Sequence, residues 1–125
     1  MFLEINHLDA YYGRLQALWD VSVTIDKGEI VALIGSNGAG KSTFLKSIAG
    51  SIRRLNGEIL FDGRNIAGLR PDKVVRAGIV MSPEGRQVFP RLSVQENLRI
   101  GGFVHKNADL EPGYERVYEL FPILK

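Results

Sequence analysis

Five apolar residues, Ile30-Val31-Ala32-Leu33-Ile34, run without a break into Gly35-Ser36-Asn37-Gly38-Ala39-Gly40-Lys41-Ser42-Thr43. An unbroken apolar run of that length suits a strand buried on both faces, as in a parallel sheet. The glycines that follow interrupt it at once. Gly35, Gly38 and Gly40 have no Cβ, so backbone amides can turn inward and approach an anion closely. A helix is predicted from near Lys41 to Ala49, ended by Gly50 as its C′ residue. Its first amides, and the positive end of its dipole, point back at the same glycines.

The spacing Gly35-x-x-x-x-Gly40-Lys41-Ser42 is that of a phosphate-binding loop. Lys41 supplies a mobile ammonium for β- and γ-phosphates. The Ser42 hydroxyl suits direct ligation of Mg²⁺, and Thr43 is expected to face the α-phosphate. Charge-assisted hydrogen bonds contribute roughly 1.5–3 kcal/mol each, so several of them hold a triphosphate at micromolar affinity. The alternative is a glycine turn with no ligand. The apolar run before the loop and the helix after it argue against that.

The rest of the composition mainly excludes. At 125 residues the chain is at most one small domain, with 45% hydrophobic and 24% charged residues, as globular domains have. A net charge of +2 is too small to argue for nucleic acid. There is no cysteine, hence no disulfide and no thiolate metal site. His7 and His105 are far apart in sequence and form no ligand cluster. No apolar run approaches the roughly 20 residues of a membrane span. The start, Met-Phe-Leu-Glu-Ile, has no basic region of a signal peptide. A cytosolic protein is expected, able to dock on a membrane protein.

Along the chain, Phe2 to Leu8 reads as a strand. Leu18, Val21, Val23 and Ile25 mark a second, with Trp19 and Asp20 breaking the alternation at a bulge. Half-polar strands of this kind suggest an antiparallel sheet, and Glu58 to Phe61, closed by Asp62-Gly63, adds a hairpin to it. Pro71 to Ala77 is a short helix with Pro at its start and Gly78 beyond its end. Ile79-Val80-Met81 is a short apolar strand. Ser93-Val94-Gln95-Glu96 is a capping box opening a helix through about Ile100. Lys106 to Glu111 reads as a loop. Tyr114, Val117, Tyr118 and Phe121 are spaced for an amphipathic helix from near Pro112, stopped by Pro122. Arg53 and Arg54 read as solvated charges near a helix end.

Several segments around the loop carry a family resemblance. Leu8-Asp9-Ala10-Tyr11-Tyr12-Gly13, Lys27-Gly28-Glu29, Gly35 to Thr43 and Asn56-Gly57-Glu58-Ile59 resemble the ATP-binding subunits of ABC transporters. The run Gly78-Ile79-Val80-Met81-Ser82-Pro83-Glu84-Gly85-Arg86, with Val88 to Leu98, is similar to those of high-affinity branched-chain amino-acid importers. The resemblance implies an α/β P-loop fold, the N-terminal portion of an ABC ATPase. That portion comprises an antiparallel β-subdomain, the start of the parallel core sheet and the start of a helical subdomain. Residues 1–92 would hold the β-subdomain and P-loop core, and residues 93–125 the beginning of the helical part. It implies ATP and Mg²⁺ as cofactors, integral-membrane permease subunits and a second ATP-binding subunit as partners, and no nucleic acid. The site is then cytoplasmic, on the inner face of the membrane.

The resemblance also gives Tyr12 the role of stacking on adenine, which its aromatic face supports at roughly 1–3 kcal/mol. Most family members carry Gln where this chain has Glu84. A carboxylate there can still ligate Mg²⁺, and the importer subgroup shares the Glu. Gln87 is a weaker candidate for that role, and Arg86 and Arg91 fall where the family meets its membrane subunits. The family's Leu-Ser-Gly-Gly-type signature, its strand ending in Asp-Glu and its switch His would lie after Lys125. These 125 residues are therefore expected to bind nucleotide, with Lys41 and Glu84 in supporting roles, and to hydrolyse it hardly at all. The importer reading competes with a non-transport ABC ATPase, with an unrelated P-loop kinase or GTPase, and with a binding-only module.

Overall fold

A computed structural model describes residues 2–36, 38, 40–83, 85, 87–103 and 109–125. Asn37, Ala39, Glu84, Arg86, His105 and residues 106–108 of the loop expected from Lys106 to Glu111 lie outside those residues. The chain divides into two compact units, Met1–Met81 and Ser82–Lys125.

The first unit is built on a sheet of order β2-β1-β3-β4, antiparallel at every pairing. Strands β1 (Leu3–Tyr12) and β2 (Leu15–Ile25) form a hairpin, and β3 (Leu55–Phe61) lies on the other side of β1. β3 turns through Asp62 and Gly63, both at positive φ, into the two-residue β4 (Arg64–Asn65). Such a turn matches the twist of the strands it joins.

The central strand buries Ile5, Leu8 and Ala10. Ile5 and Leu8 are an odd number of residues apart, so strict alternation would put them on opposite faces. A bulge solves this. Asn6 and His7 together oppose Ser22 on β2, since Ile5 pairs with Val23 and Leu8 with Val21. His7 adopts φ 50° there. On the other flank Gly57 of β3 crosses the same spot. A Cβ on Gly57 would lie 2.3 Å from the His7 carbonyl oxygen, so only glycine lets β3 pair across the bulge. A second bulge sits where the broken alternation predicted it. Trp19 and Asp20 together oppose Asp9, with Asp20 at φ 48°.

Helix α1 (Lys41–Ala49) ends at Gly50 in the left-handed conformation. Helix α2 (Pro71–Ala77) has the predicted bounds and ends at left-handed Gly78. Phe44 and Ile48 of α1, Val74 of α2, and Ile52 and Ile66 join Ile5, Leu8, Ala10, Leu18 and Ile59 in one core.

Two expected apolar strands, the first of them expected to be parallel, do not form. Ile30–Ile34 and Ile79–Met81 pair with no strand among the described residues. Ile30 is 98% exposed, Ile34 91% and Val80 79%. A buried parallel strand needs hydrogen-bonded neighbours on its edges and cover on its faces. The four antiparallel strands supply neither to these segments.

In the second unit, α3 (Val94–Gly101) opens on a complete capping box. The Glu96 amide donates to Ser93 Oγ at 3.1 Å, and the Ser93 amide to Glu96 Oε1 at 3.2 Å. Asn97 ties the preceding loop to the helix. Its carboxamide accepts from the Phe89 amide and donates to the Phe89 and Ser93 carbonyls. Helix α4 (Glu111–Leu120) is followed by a 3₁₀ turn, Pro122–Leu124. Of its expected apolar stripe, Tyr114 is buried and Phe121 is exposed.

Candidate functional site

The glycine-rich loop and the tip of the β1–β2 hairpin enclose a cleft of about 370 Å³. Its apolar wall comes from Tyr12, Leu15, Ala17 and Trp19, with Gln16 beside them. Its polar wall comes from Gly38, Gly40, Lys41, Ser42 and Thr43. The sequence-predicted loop residues and Tyr12, thirty-one positions from Thr43, are thus brought to one place.

Gly40 is the hinge of the polar wall. It sits at φ 94°, as the residue before α1. A Cβ there would stand 2.9 Å from Leu18 Cδ2, and Leu18 belongs to the core. The Leu18 side chain of the sheet therefore packs close behind the loop, and the backbone angle at position 40 selects glycine. The Phe44 amide donates to the Gly40 carbonyl at 2.8 Å, closing the first turn of α1. The amides of Lys41, Ser42 and Thr43 precede that bond, as at any helix start. No acidic residue lies in this first turn, and Gly40 has no side chain to cap it. The positive end of the helix is left to an anion from outside.

The side chains divide by depth. Ser42 is exposed and lines the cleft. Thr43 is only 8% exposed, and its Oγ1 shares a hydrogen bond of 3.2 Å with the Tyr12 hydroxyl. Lys41 Nζ donates to the Gly35 carbonyl oxygen, joining the two ends of the loop. Gly35 and Ser36 are exposed and are not among the cleft-lining residues. Gln87 lies in the second unit, its amide bonded to the Gly85 carbonyl.

Arg54 plays a part that its sequence neighbourhood did not reveal. Arg54 is exposed, as expected, but its guanidinium also lies over the Tyr11 ring at 5.2 Å and donates to the Gly13 carbonyl. Its own carbonyl accepts from the Tyr11 amide at 3.1 Å. Arg54 thereby holds the hairpin tip from which Tyr12 projects. Only pairing of β1 beside the residues that precede β3 brings these positions together, and local sequence carries no trace of it.

With this geometry in view, the comparison with known proteins is direct. The sequence matches the family described as ABC transporter over residues 18–122. The chain belongs to that family. It is 48% identical over 123 residues to the high-affinity branched-chain amino acid transport ATP-binding protein BraG of Pseudomonas aeruginosa, covering 98% of this chain and 53% of that protein. It is 36% identical over 118 residues to the probable branched-chain amino acid transport ATP-binding protein LivF of Archaeoglobus fulgidus, covering 94% and 50%. A solved ATP-binding subunit of an ABC transporter superposes with a TM-score of 0.75 at 36% identity, covering 93% of this chain and 47% of that one. The fold is therefore the N-terminal portion of an ABC ATPase. The chain spans about half the length of the relatives it matches.

Proposed function

We propose that this chain is the ATP-binding half of an importer subunit that couples ATP hydrolysis to uptake of branched-chain amino acids. The observation that carries the reading is the cleft itself. One aromatic face, Tyr12, and one anion-holding helix start, Lys41 to Thr43, line the same cavity and are joined by the Tyr12–Thr43 bond. A nucleotide has the same two-part chemistry, a flat base at one end and a chain of phosphates at the other.

In this reading Tyr12 stacks on adenine. The amides from Gly35 to Thr43, Asn37 and Ala39 included, and the Lys41 ammonium hold the phosphates. Ser42 would hold Mg²⁺, with Glu84 as a second oxygen ligand. When bound, Mg²⁺ neutralises charge on the phosphate oxygens. The chain's own contribution is positioning and electrostatic stabilisation, with Lys41 and Glu84 in support. The cassette would work with membrane permease subunits and a second ATP-binding subunit, on the cytoplasmic face of the membrane. The 125 residues alone would turn over ATP at background rate. The similarity to BraG and LivF supports the substrate class.

Titration with fluorescent ATP and UTP tests this on the chain, Lys41→Ala and Tyr12→Ala. Lys41→Ala is expected to abolish triphosphate binding, and Tyr12→Ala to weaken ATP by about fivefold or more and shrink its advantage over UTP. Equal affinity of the unaltered chain for inorganic tripolyphosphate and ATP would count against a stacked base. Robust hydrolysis by these residues would count against the reading, since it would require a general base not among those named here.

A further inference from the structure

Trp19 is the chain's single tryptophan, and its place in the fold is unusual. Tryptophan is highly buried on average, yet Trp19 is 66% exposed. Among the described residues no hydrogen bond of its indole N–H and no ring contact is found. What it does touch is the cleft, where it lines the same wall as Tyr12.

Its orientation is built, not incidental. Trp19 and Asp20 form the bulge of β2 opposite Asp9. Three contacts pin that bulge. The Asp20 amide donates to Asp9 Oδ1 at 2.8 Å. Asp9 Oδ1 also accepts from Gln16 Nε2 at 3.2 Å. The Asp20 carboxylate pairs with His7 Nδ1 at 2.7 Å. A bulge re-aims the side chain it carries, and bulges gather beside binding sites for that reason. Between Tyr12 and Trp19 in sequence, the wall is lined by Leu15, Gln16 and Ala17.

We propose that Trp19 is a second base-contacting residue, forming with Tyr12 an aromatic lining for the nucleobase. The proposal rests on the nucleotide reading above and adds a second residue to its contact with the base. Two aromatic surfaces recognise a flat ring by area of overlap. They favour purines over the smaller pyrimidines without reading hydrogen-bonding edges.

The single tryptophan makes the test direct, because its emission reports on this position alone. Calorimetry of the 125-residue chain with Mg-ATP and with inorganic tripolyphosphate measures binding independently of that emission. ATP is expected to change Trp19 emission in step with the calorimetric isotherm, while tripolyphosphate binds and leaves emission unmoved. Trp19→Ala should weaken ATP about tenfold, the size of one stacking contact, and leave tripolyphosphate affinity unchanged. Trp19→Phe should keep most of the ATP affinity, which separates stacking from a folding defect. Calorimetric ATP binding with silent emission, or an unchanged ATP affinity in Trp19→Ala, overturns the proposal while sparing the nucleotide reading. If neither ligand binds the unaltered chain, both fall together.

Discussion

Ile5 and Ile34 are the same residue in two apolar segments, and their fates are opposite. Ile5 is wholly buried in β1, whereas Ile34 is 91% exposed in a segment that pairs with no strand. The segment from Ile30 to Ile34 is the more apolar of the two. The contrast shows that hydrophobicity states a demand for neighbours and does not itself make a strand. β1 has β2 and β3 on its two edges and α1 against its face. The 30–34 segment pairs with no strand among the described residues and is exposed along its length. It is nonetheless the segment that leads into the binding loop.

One substitution made in both places tests the contrast most severely. Ile5→Ala should destabilise the first unit by about 2–5 kcal/mol, through lost transfer energy and a cavity. Ile34→Ala should change stability by less than about 0.5 kcal/mol. Urea midpoints followed by far-UV circular dichroism measure both, and equal losses would mean that Ile34 is packed after all. A smaller effect is expected in solution behaviour. Unpaired, uncovered apolar segments invite association, so the 125-residue chain should self-associate. Replacing Ile30 and Ile34 together by Asp should raise the dissociation constant by about tenfold or more, given the value of burying each side chain. Sedimentation velocity over a range of concentrations reads this, and a monomer at every concentration would sink the idea. The smallest effect belongs to the second unit, whose order rests on local hydrogen bonds. Ser93→Ala should cost about 1 kcal/mol through loss of the cap. Faster amide exchange confined to the start of α3 would register it.

Much of this molecule was legible because the deciding signals are local. The capping box, the prolines and glycines bounding α2, and the left-handed Gly50 each act within one turn of backbone. The bulge at Trp19–Asp20 was visible because it shifts a two-residue period. The loop from Gly35 to Thr43 was legible for the same reason, since its glycines, lysine and hydroxyls are consecutive. What escaped depends on long-range pairing. β1 runs on to Tyr12 because β2 and the residues around Leu55 flank it. Arg54 reaches Tyr11 and Gly13 across that pairing. Gly57 could be seen as part of a familiar run, but its physical reason, the His7 carbonyl that leaves no room for a Cβ, exists only once β3 lies on β1. The error at 30–34 and 79–81 has the same origin, because an apolar pattern names a strand without naming who will pair with it.

The contact between Leu18 and Gly40 has one more consequence. The same leucine that fills the hydrophobic interior on one side forms the back support of the ligand loop on the other. A bulkier residue at position 18, such as Phe, would not be judged by packing alone, since its extra atoms have to share space with the hinge of the loop. Foldability and nucleotide affinity are therefore not separately adjustable at that residue, and any change selected for one will be felt by the other.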